Sequence, residues 1–190
     1  RPIAILVEAL RAVGAEITYL GAEGFPPLRI EGKTLKGGKV VLNGGVSSQY
    51  ISALLMIAPL MQEGLQLHLE GEVVSVPYIE MTLSLMRYFG VASHFDGKVV
   101  CVPPQRYKAA PLTVESDWSA ASYWYAVTAL HPSAKIKLPH LMPNSWQGDA
   151  KLAQLFEPLG VHTTFTPAGV ELQKKEVELP KNYLRNLCAQ

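Results

Sequence analysis

The sequence predicts an α+β fold of repeated βαβαββ units, spread over two domains that are both incomplete in this length. Three observations predict it. Leu60 and Leu130, Ser52 and Ser122, and Gly90 and Gly160 each stand 70 positions apart and in the same order. Each stretch so related alternates apolar runs of strand length with runs of helical period. Each amphipathic helix in them runs up to a glycine, the residue that most easily takes the left-handed conformation ending a helix. Repeats that cannot cover their own apolar face must stack on copies of themselves, so neighbouring units are expected beyond both ends.

Taken in order, Pro2 suits a first helical turn, and Ile3, Leu6, Val7 and Leu10 follow at the spacing of one buried face. Gly14 stops this helix, which reads as the tail of an earlier unit. Ile17 to Tyr19 and Leu28 to Ile30 read as strands joined through Gly24-Phe25-Pro26-Pro27. Gly37-Gly38 precedes a strand from Lys39 to Leu42, followed by an apolar helix containing Ile51 to Met61. Leu65, Leu67 and Leu69 alternate as a strand does, and a second helix starts near Pro77 with Ile79, Leu83 and Met86 on its face. Gly90 ends it, and Val91 to Phe95 and Lys98 to Val102 form a hairpin. Pro103-Pro104 and Pro111 bracket an extended link, which places a domain boundary between residues 113 and 114. The second unit then repeats the plan: a lead-in at Val114 to Asp117, a helix to Leu130, a strand Ile136 to Leu138, a helix Asp149 to Leu159, and strands Thr163 to Phe165 and Val170 to Leu172.

One stretch carries chemistry. Asn43-Gly44-Gly45-Val46-Ser47-Ser48-Gln49 joins a strand to a helix start, where backbone N–H groups are unpaired and the helix dipole is positive. Two hydroxyls and an amide exceed what one N-cap uses, and the glycines are expected to let a ligand approach the backbone, so the stretch reads as an anion cradle suited to phosphate. The equivalent start in the second unit is Asp117, whose charge would repel a phosphate and which suits an N-cap.

Bulk properties narrow the classes. With 190 residues and 48% hydrophobic content the chain can bury a substantial core. A net charge of +1 without any basic run argues against nucleic acid. Cys101 and Cys188 lack metal-like spacing, and His68, His94, His131, His140 and His162 lack ligand spacing. The apolar run from Ile51 to Met61 is shorter than the roughly 20 residues a bilayer span needs. The start at Arg1-Pro2, without a Met, suggests a piece of a longer protein.

Several segments together resemble one family. They are Ser47-Ser48-Gln49 with Ala53-Leu54-Leu55-Met56, Val74-Ser75-Val76-Pro77-Tyr78-Ile79, Val114-Glu115-Ser116-Asp117 with Ser119-Ala120-Ala121-Ser122-Tyr123, and Ser145-Trp146-Gln147-Gly148-Asp149. In this order they resemble the enolpyruvylshikimate-phosphate synthases, the 3-phosphoshikimate carboxyvinyltransferases of aromatic amino-acid synthesis and targets of glyphosate. The likeness runs from Arg1 to about Leu159 and weakens after Gly160.

The resemblance implies two domains of three stacked βαβαββ units each, the inside-out α/β barrel of enolpyruvyl transferases. Residues 1–113 would form part of the domain binding shikimate phosphate, and residues 114–190 the start of the other. It implies transfer of the enolpyruvyl group of phosphoenolpyruvate to the 5-hydroxyl of shikimate 3-phosphate by addition and elimination, with no metal and no cofactor. It also implies a cytoplasmic protein, a monomer when complete, with no membrane or nucleic-acid partner. Carried over residue by residue, Ser47, Ser48 and Ser75 match serines on the acceptor's phosphate. Gln49 matches a glutamine between the two substrates, Arg1 an arginine pairing with phosphoenolpyruvate, and Tyr78 an aromatic residue at the shikimate end. By their local sequence alone, Ser75 would equally cap the second helix, and Ser145, Gln147 and Asp149 would form a helix start. The family's catalytic acid and base match nothing in this chain and are expected beyond Gln190, so the isolated chain is expected to be inactive. Two other readings are a non-catalytic piece and the related UDP-N-acetylglucosamine carboxyvinyltransferase; the latter lacks the serine pair.

Overall fold

The computed structural model describes residues 2–177; Arg1 and residues 178–190, with Cys188, lie outside the described residues. The chain divides into two compact units between Ala110 and Pro111.

The first unit opens with α1 (Ala4–Ala12), whose Val7 and Ala9 are buried, and Gly14 follows it at φ 103°. Strands β1 (Glu16–Tyr19) and β2 (Leu28–Glu31) pair antiparallel with Ile17 opposite Ile30. The body of the unit is β3 (Gly38–Asn43), α2 (Ser48–Ile57), β4 (Leu65–Glu70), α3 (Val76–Tyr88), β5 (His94–Phe95) and β6 (Val99–Val102). Its sheet has the order β3-β4-β6-β5, with β3 parallel to β4 and the other pairs antiparallel. This is a βαβαββ unit. Alternate residues of β3 and β4 (Val40, Leu42, Leu65, Leu67, Leu69) are buried with Ile51, Leu54 and Leu55 of α2 and Ile79, Leu83 and Met86 of α3. Pro59 turns the end of the apolar run into a 3₁₀ turn, Ala58–Leu60. The hairpin strand expected from Val91 is shorter than the sequence suggests, because only His94 and Phe95 pair with β6.

The second unit contains α4 (Trp118–Leu130), β7 (Lys135–Pro139), α5 (Leu152–Phe156), β8 (Val161–Thr166) and β9 (Gly169–Lys174), with the sheet order β7-β9-β8. Its core is Trp118, Tyr125, Leu141, Val161, Val170 and Leu172. Two expectations are corrected here. The second unit has no leading strand among the described residues: the lead-in keeps a single backbone rung, Ser116 N–H to the His140 carbonyl at 2.9 Å. Pro111 removes a donor from residues 108–113, the stretch that would have to pair as the counterpart of β3. The helix expected from Asp149 to Leu159 is broken into a 3₁₀ turn (Gly148–Lys151), α5, and a second 3₁₀ turn (Glu157–Leu159). Pro158 has no N–H for the next helical bond, whereas the matching position of α3, Tyr88, does.

The repeat is visible in backbone detail. Gly90 and Gly160 both have φ 81°, and at each an added Cβ would meet a neighbour, Lys108 or the Lys175 carbonyl. Among the described residues no helix is long and apolar enough to cross a membrane.

Candidate functional site

Because β3 and β4 are parallel with Asn43 opposite Glu70, their C-terminal ends lie at one edge of the sheet. Each strand feeds a helix, so α2 and α3 both start at that edge, and both positive dipole ends are on the same side. The two connecting loops are joined there: Gly44 N–H donates to the Glu70 carbonyl at 2.7 Å, and Val74 N–H to the Gly44 carbonyl at 3.4 Å. This topology brings Ser47, Ser48 and Gln49 to the same edge as Ser75 and Tyr78.

Ser47 is the N-cap of α2, and its Oγ accepts the Gln49 amide in a long bond of 3.4 Å. Ser48 begins the helix, half-buried, and its hydroxyl has no hydrogen bond within the described residues. Gln49 is exposed, with its carboxamide uncommitted among the described residues. Ser75 is the N-cap residue of α3, yet its side chain makes no capping bond, so the capping role its local sequence suits is not the one it performs. The role of Gly44 is corrected too. A Cβ there would stand 2.8 Å from the Glu72 carbonyl, so Gly44 serves the close packing of the 70–73 loop rather than a ligand's approach. Tyr78, in the first turn of α3, is 47% exposed. Arg1 lies outside the described residues.

Sequence reasoning missed the roles of four residues. Asn43 Oδ1 accepts the Gly45 amide at 2.8 Å, turning the chain into the cradle as an Asx-turn does; the Asn-Gly pair was the signal available. The Tyr50 hydroxyl donates to the Pro2 carbonyl at 2.7 Å and ties the start of α1 to that of α2. Ser52 and Thr82 share a hydrogen bond of 2.7 Å across α2 and α3. Neither long-range bond has a local sequence signal.

The corresponding edge of the second unit is built differently. Asp117 caps α4 by accepting the Ser119 amide at 2.8 Å, and the Ser119 hydroxyl donates to Asp149. Glu115 accepts the Trp118 indole N–H, the Met142 amide, the Ser145 hydroxyl and the Gln147 carboxamide. Ser145, Gln147 and Asp149 therefore organise the start of α4 rather than only their own helix. Asp117 and Trp118 stand where the first unit has Ser47 and Ser48, and Ser145, the counterpart of Ser75, spends its hydroxyl on Glu115. This edge does not suit a phosphate.

Three displaced titrations belong to groups outside the serine cluster and the Glu115 network. Hydrogen bonds from the Val99 and Lys98 amides hold Asp96 below its ordinary range, and the hydrogen bond between Lys137 and Glu171 raises the lysine and lowers the carboxyl. Among the described residues no group of three or more His, Cys, Asp or Glu side chains is gathered as a metal site requires.

Comparison with known proteins adds a family match, two relatives and a solved structure. Residues 1–187 match the family model of EPSP synthase (3-phosphoshikimate 1-carboxyvinyltransferase). The chain is 57% identical over 175 residues to the 3-phosphoshikimate 1-carboxyvinyltransferase of Bacteroides fragilis strain YCH46, covering 92% of this chain and 43% of that protein. With its counterpart in Tolumonas auensis it is 43% identical over 176 residues, covering 91% and 41%. The chain thus spans about two fifths of the length of these relatives. The EPSP synthase structure from Acinetobacter baumannii shares the fold at a TM-score of 0.66 and 21% identity, covering 95% of this chain and 42% of that one. The βαβαββ unit with its parallel strands feeding two helices, together with a family model that matches nearly the whole length, places this chain in the EPSP synthase family.

Proposed function

We propose that the polypeptide carrying this chain transfers the enolpyruvyl group of phosphoenolpyruvate to the 5-hydroxyl of shikimate 3-phosphate, releasing phosphate. The observation that carries the reading is the pair of helix starts at one sheet edge with the hydroxyls of Ser48 and Ser75 uncommitted among the described residues. On this reading residues 1–113 belong to the domain that binds the acceptor, and residues 114–190 begin the second domain. Ser47, Ser48 and Ser75 donate to the acceptor's phosphoryl oxygens, assisted by the positive end of the α2 dipole. Gln49 places its carboxamide between acceptor and donor, Arg1 pairs with the donor's anionic groups, and Tyr78 lies against the shikimate ring.

In the reaction the acceptor hydroxyl gives up its proton and its oxygen bonds to C2 of phosphoenolpyruvate while C3 takes a proton. The C–O bond to phosphate then breaks as C3 returns a proton, leaving the enol ether and inorganic phosphate. The residues of this chain bind and orient; the groups that move the protons belong to sequence beyond Gln190. The protein works in the cytoplasm as a monomer.

The magnitudes agree with a shared site. A helix terminus contributes at most about 2 kcal/mol to an anion, and each hydrogen bond to a charged group about 1.5–3 kcal/mol. Micromolar binding requires about 8 kcal/mol net of ordering costs. Three serines therefore need cations from elsewhere, and the isolated chain is expected to bind weakly and turn over nothing. The test is the double change Ser47→Ala and Ser48→Ala in the full-length polypeptide, titrated calorimetrically with shikimate 3-phosphate. A loss of several kcal/mol in affinity is expected, against roughly 1 kcal/mol in folding stability from a lost cap. Unchanged affinity with reduced stability would make the serines caps and place the phosphate elsewhere.

A further inference from the structure

The hydroxyls of Ser52 and Thr82 meet at 2.7 Å between α2 and α3, and Thr82 Oγ1 also donates to the Tyr78 carbonyl at 2.9 Å. A hydroxyl has one proton, so Thr82 spends its own on the carbonyl and Ser52 is the donor between the two. The result is a directed chain, Ser52 to Thr82 to the backbone of Tyr78, crossing between two helices that share one apolar core through Ile51, Leu54 and Leu55 of α2 and Ile79, Leu83 and Met86 of α3. Apolar contact is non-directional and tolerates sliding of one helix along the other. A hydrogen bond of this length does not.

The location of this chain gives it a consequence. Ser52 lies one turn beyond Ser48 on α2, and Thr82 one turn beyond Tyr78 on α3, so both crosspieces sit directly behind the helix starts. Thr82 is only 8% exposed, and a valine there would fill the same space. The second unit supplies an internal comparison. Seventy residues on, the counterparts are Ser122 and Leu152; the Ser122 hydroxyl turns back to the Ser119 carbonyl of its own helix at 2.6 Å, and Leu152 offers no partner. That unit has Asp117 and Trp118 where the first has Ser47 and Ser48. The crosspiece is present where the serine pair is present and absent where it is absent.

We infer that Ser52 and Thr82 are positioning residues that lock α2 and α3 in register, so that the hydroxyls of Ser48 and Ser75 stand at a spacing one phosphoryl group can bridge. The inference rests on the phosphate-cradle reading above. It makes the register of two helices, rather than the cradle residues alone, a determinant of selection for a phosphorylated acceptor.

The test uses the full-length polypeptide and two acceptors, shikimate 3-phosphate and unphosphorylated shikimate. Thr82→Val is expected to raise KM for the phosphorylated acceptor about tenfold, equivalent to ~1.4 kcal/mol, and to leave KM for shikimate and kcat for both acceptors in place. Ser52→Ala leaves the Thr82–Tyr78 bond intact and is expected to act in the same direction; Ser52→Thr, which keeps the hydroxyl, is expected to retain wild-type KM. Equal effects on both acceptors, or a lowered Tm with unchanged KM for the phosphorylated one, would overturn the inference. The Ser47→Ala/Ser48→Ala protein separates the failures. If it loses affinity for the phosphorylated acceptor while Thr82→Val and Ser52→Ala do not, the register idea falls and the cradle stands; if it too keeps that affinity, the cradle reading falls and this inference with it.

Discussion

The Glu115 carboxylate receives the Trp118 indole N–H at 2.8 Å, the Met142 amide at 2.7 Å, the Ser145 hydroxyl at 2.6 Å and the Gln147 carboxamide at 3.1 Å. Three of these donors come from beyond β7, so one half-buried anion holds the 142–147 loop against the start of α4. Glu115→Ala leaves several donors without their acceptor and is expected to cost about 3 kcal/mol, read as a lower urea midpoint with an unchanged slope. A loss below about 0.5 kcal/mol would show that water replaces the carboxylate. Asp96 is a simpler case. Its carboxylate accepts the Lys98 and Val99 amides at 2.9 and 2.7 Å, which lowers its pKa from the ordinary 3.8. A group depressed on folding contributes stability that is present above its unfolded pKa and lost as pH falls through the folded one. Tm of the wild type is therefore expected to fall below about pH 4 more steeply than that of Asp96→Asn; parallel curves would remove Asp96 from the account.

At the scale of elements, the two units solve one problem in two ways. Helix C-termini leave carbonyls unpaired. In the first unit, the Pro59 carbonyl accepts the Gln105 amide and the Phe89 carbonyl accepts the Lys108 amide, so the link itself caps both helical segments. Gln105 fastens this strap further by pairing its carboxamide with both backbone groups of Ala92. Seventy residues on, the Ala129 and Leu159 carbonyls are both capped by one side chain, the Lys174 ammonium, at 2.9 Å each. The charge also complements the negative ends of the two helices. Lys174→Met keeps the aliphatic stem and removes both bonds, with an expected cost of about 2–4 kcal/mol to the second unit; the check is the change in hydrogen-exchange protection of α4 and β9. Equal protection in the two proteins would show that the strand pairs, and not the lysine, hold these helix ends.

At the scale of the whole molecule, α4 is apolar on more than its packed side. Trp118, Ala121, Tyr125 and Thr128 are buried, while Tyr123 is 76% and Leu130 87% exposed, with Trp124 and Val127 also open. An apolar face of this kind on a repeat unit calls for a neighbouring copy. The isolated 190-residue chain is therefore expected to self-associate with rising concentration in sedimentation velocity, and Tyr123→Lys with Leu130→Lys to keep it monomeric. A wild-type chain that stays monomeric at high concentration would contradict this.

Much of this was legible in local sequence. The stopping glycines and the alternation of Leu65, Leu67 and Leu69 each reflect a rule acting within a few residues, and the 70-residue offset shows those local rules used twice, which is why the elements of the first unit fall close to their expected places. The broken helix before Gly160 was signalled by Pro158, although the apolar spacing around it pointed to a continuous one. What the sequence by itself determined is the repeat and which side chains stand at the helix starts, because periodicity, capping and turn chemistry are short-range; the family was legible as a resemblance of whole segments such as Ser47-Ser48-Gln49. Only the tertiary structure decided that Gly44 makes room for a neighbouring loop, that Ser75 makes no capping bond to its own helix, that Glu115 gathers donors from another loop and that Ser52 reaches Thr82. Each of those depends on which segments the parallel strand pair and the hairpins bring within hydrogen-bond distance, and no spacing along the chain encodes that distance.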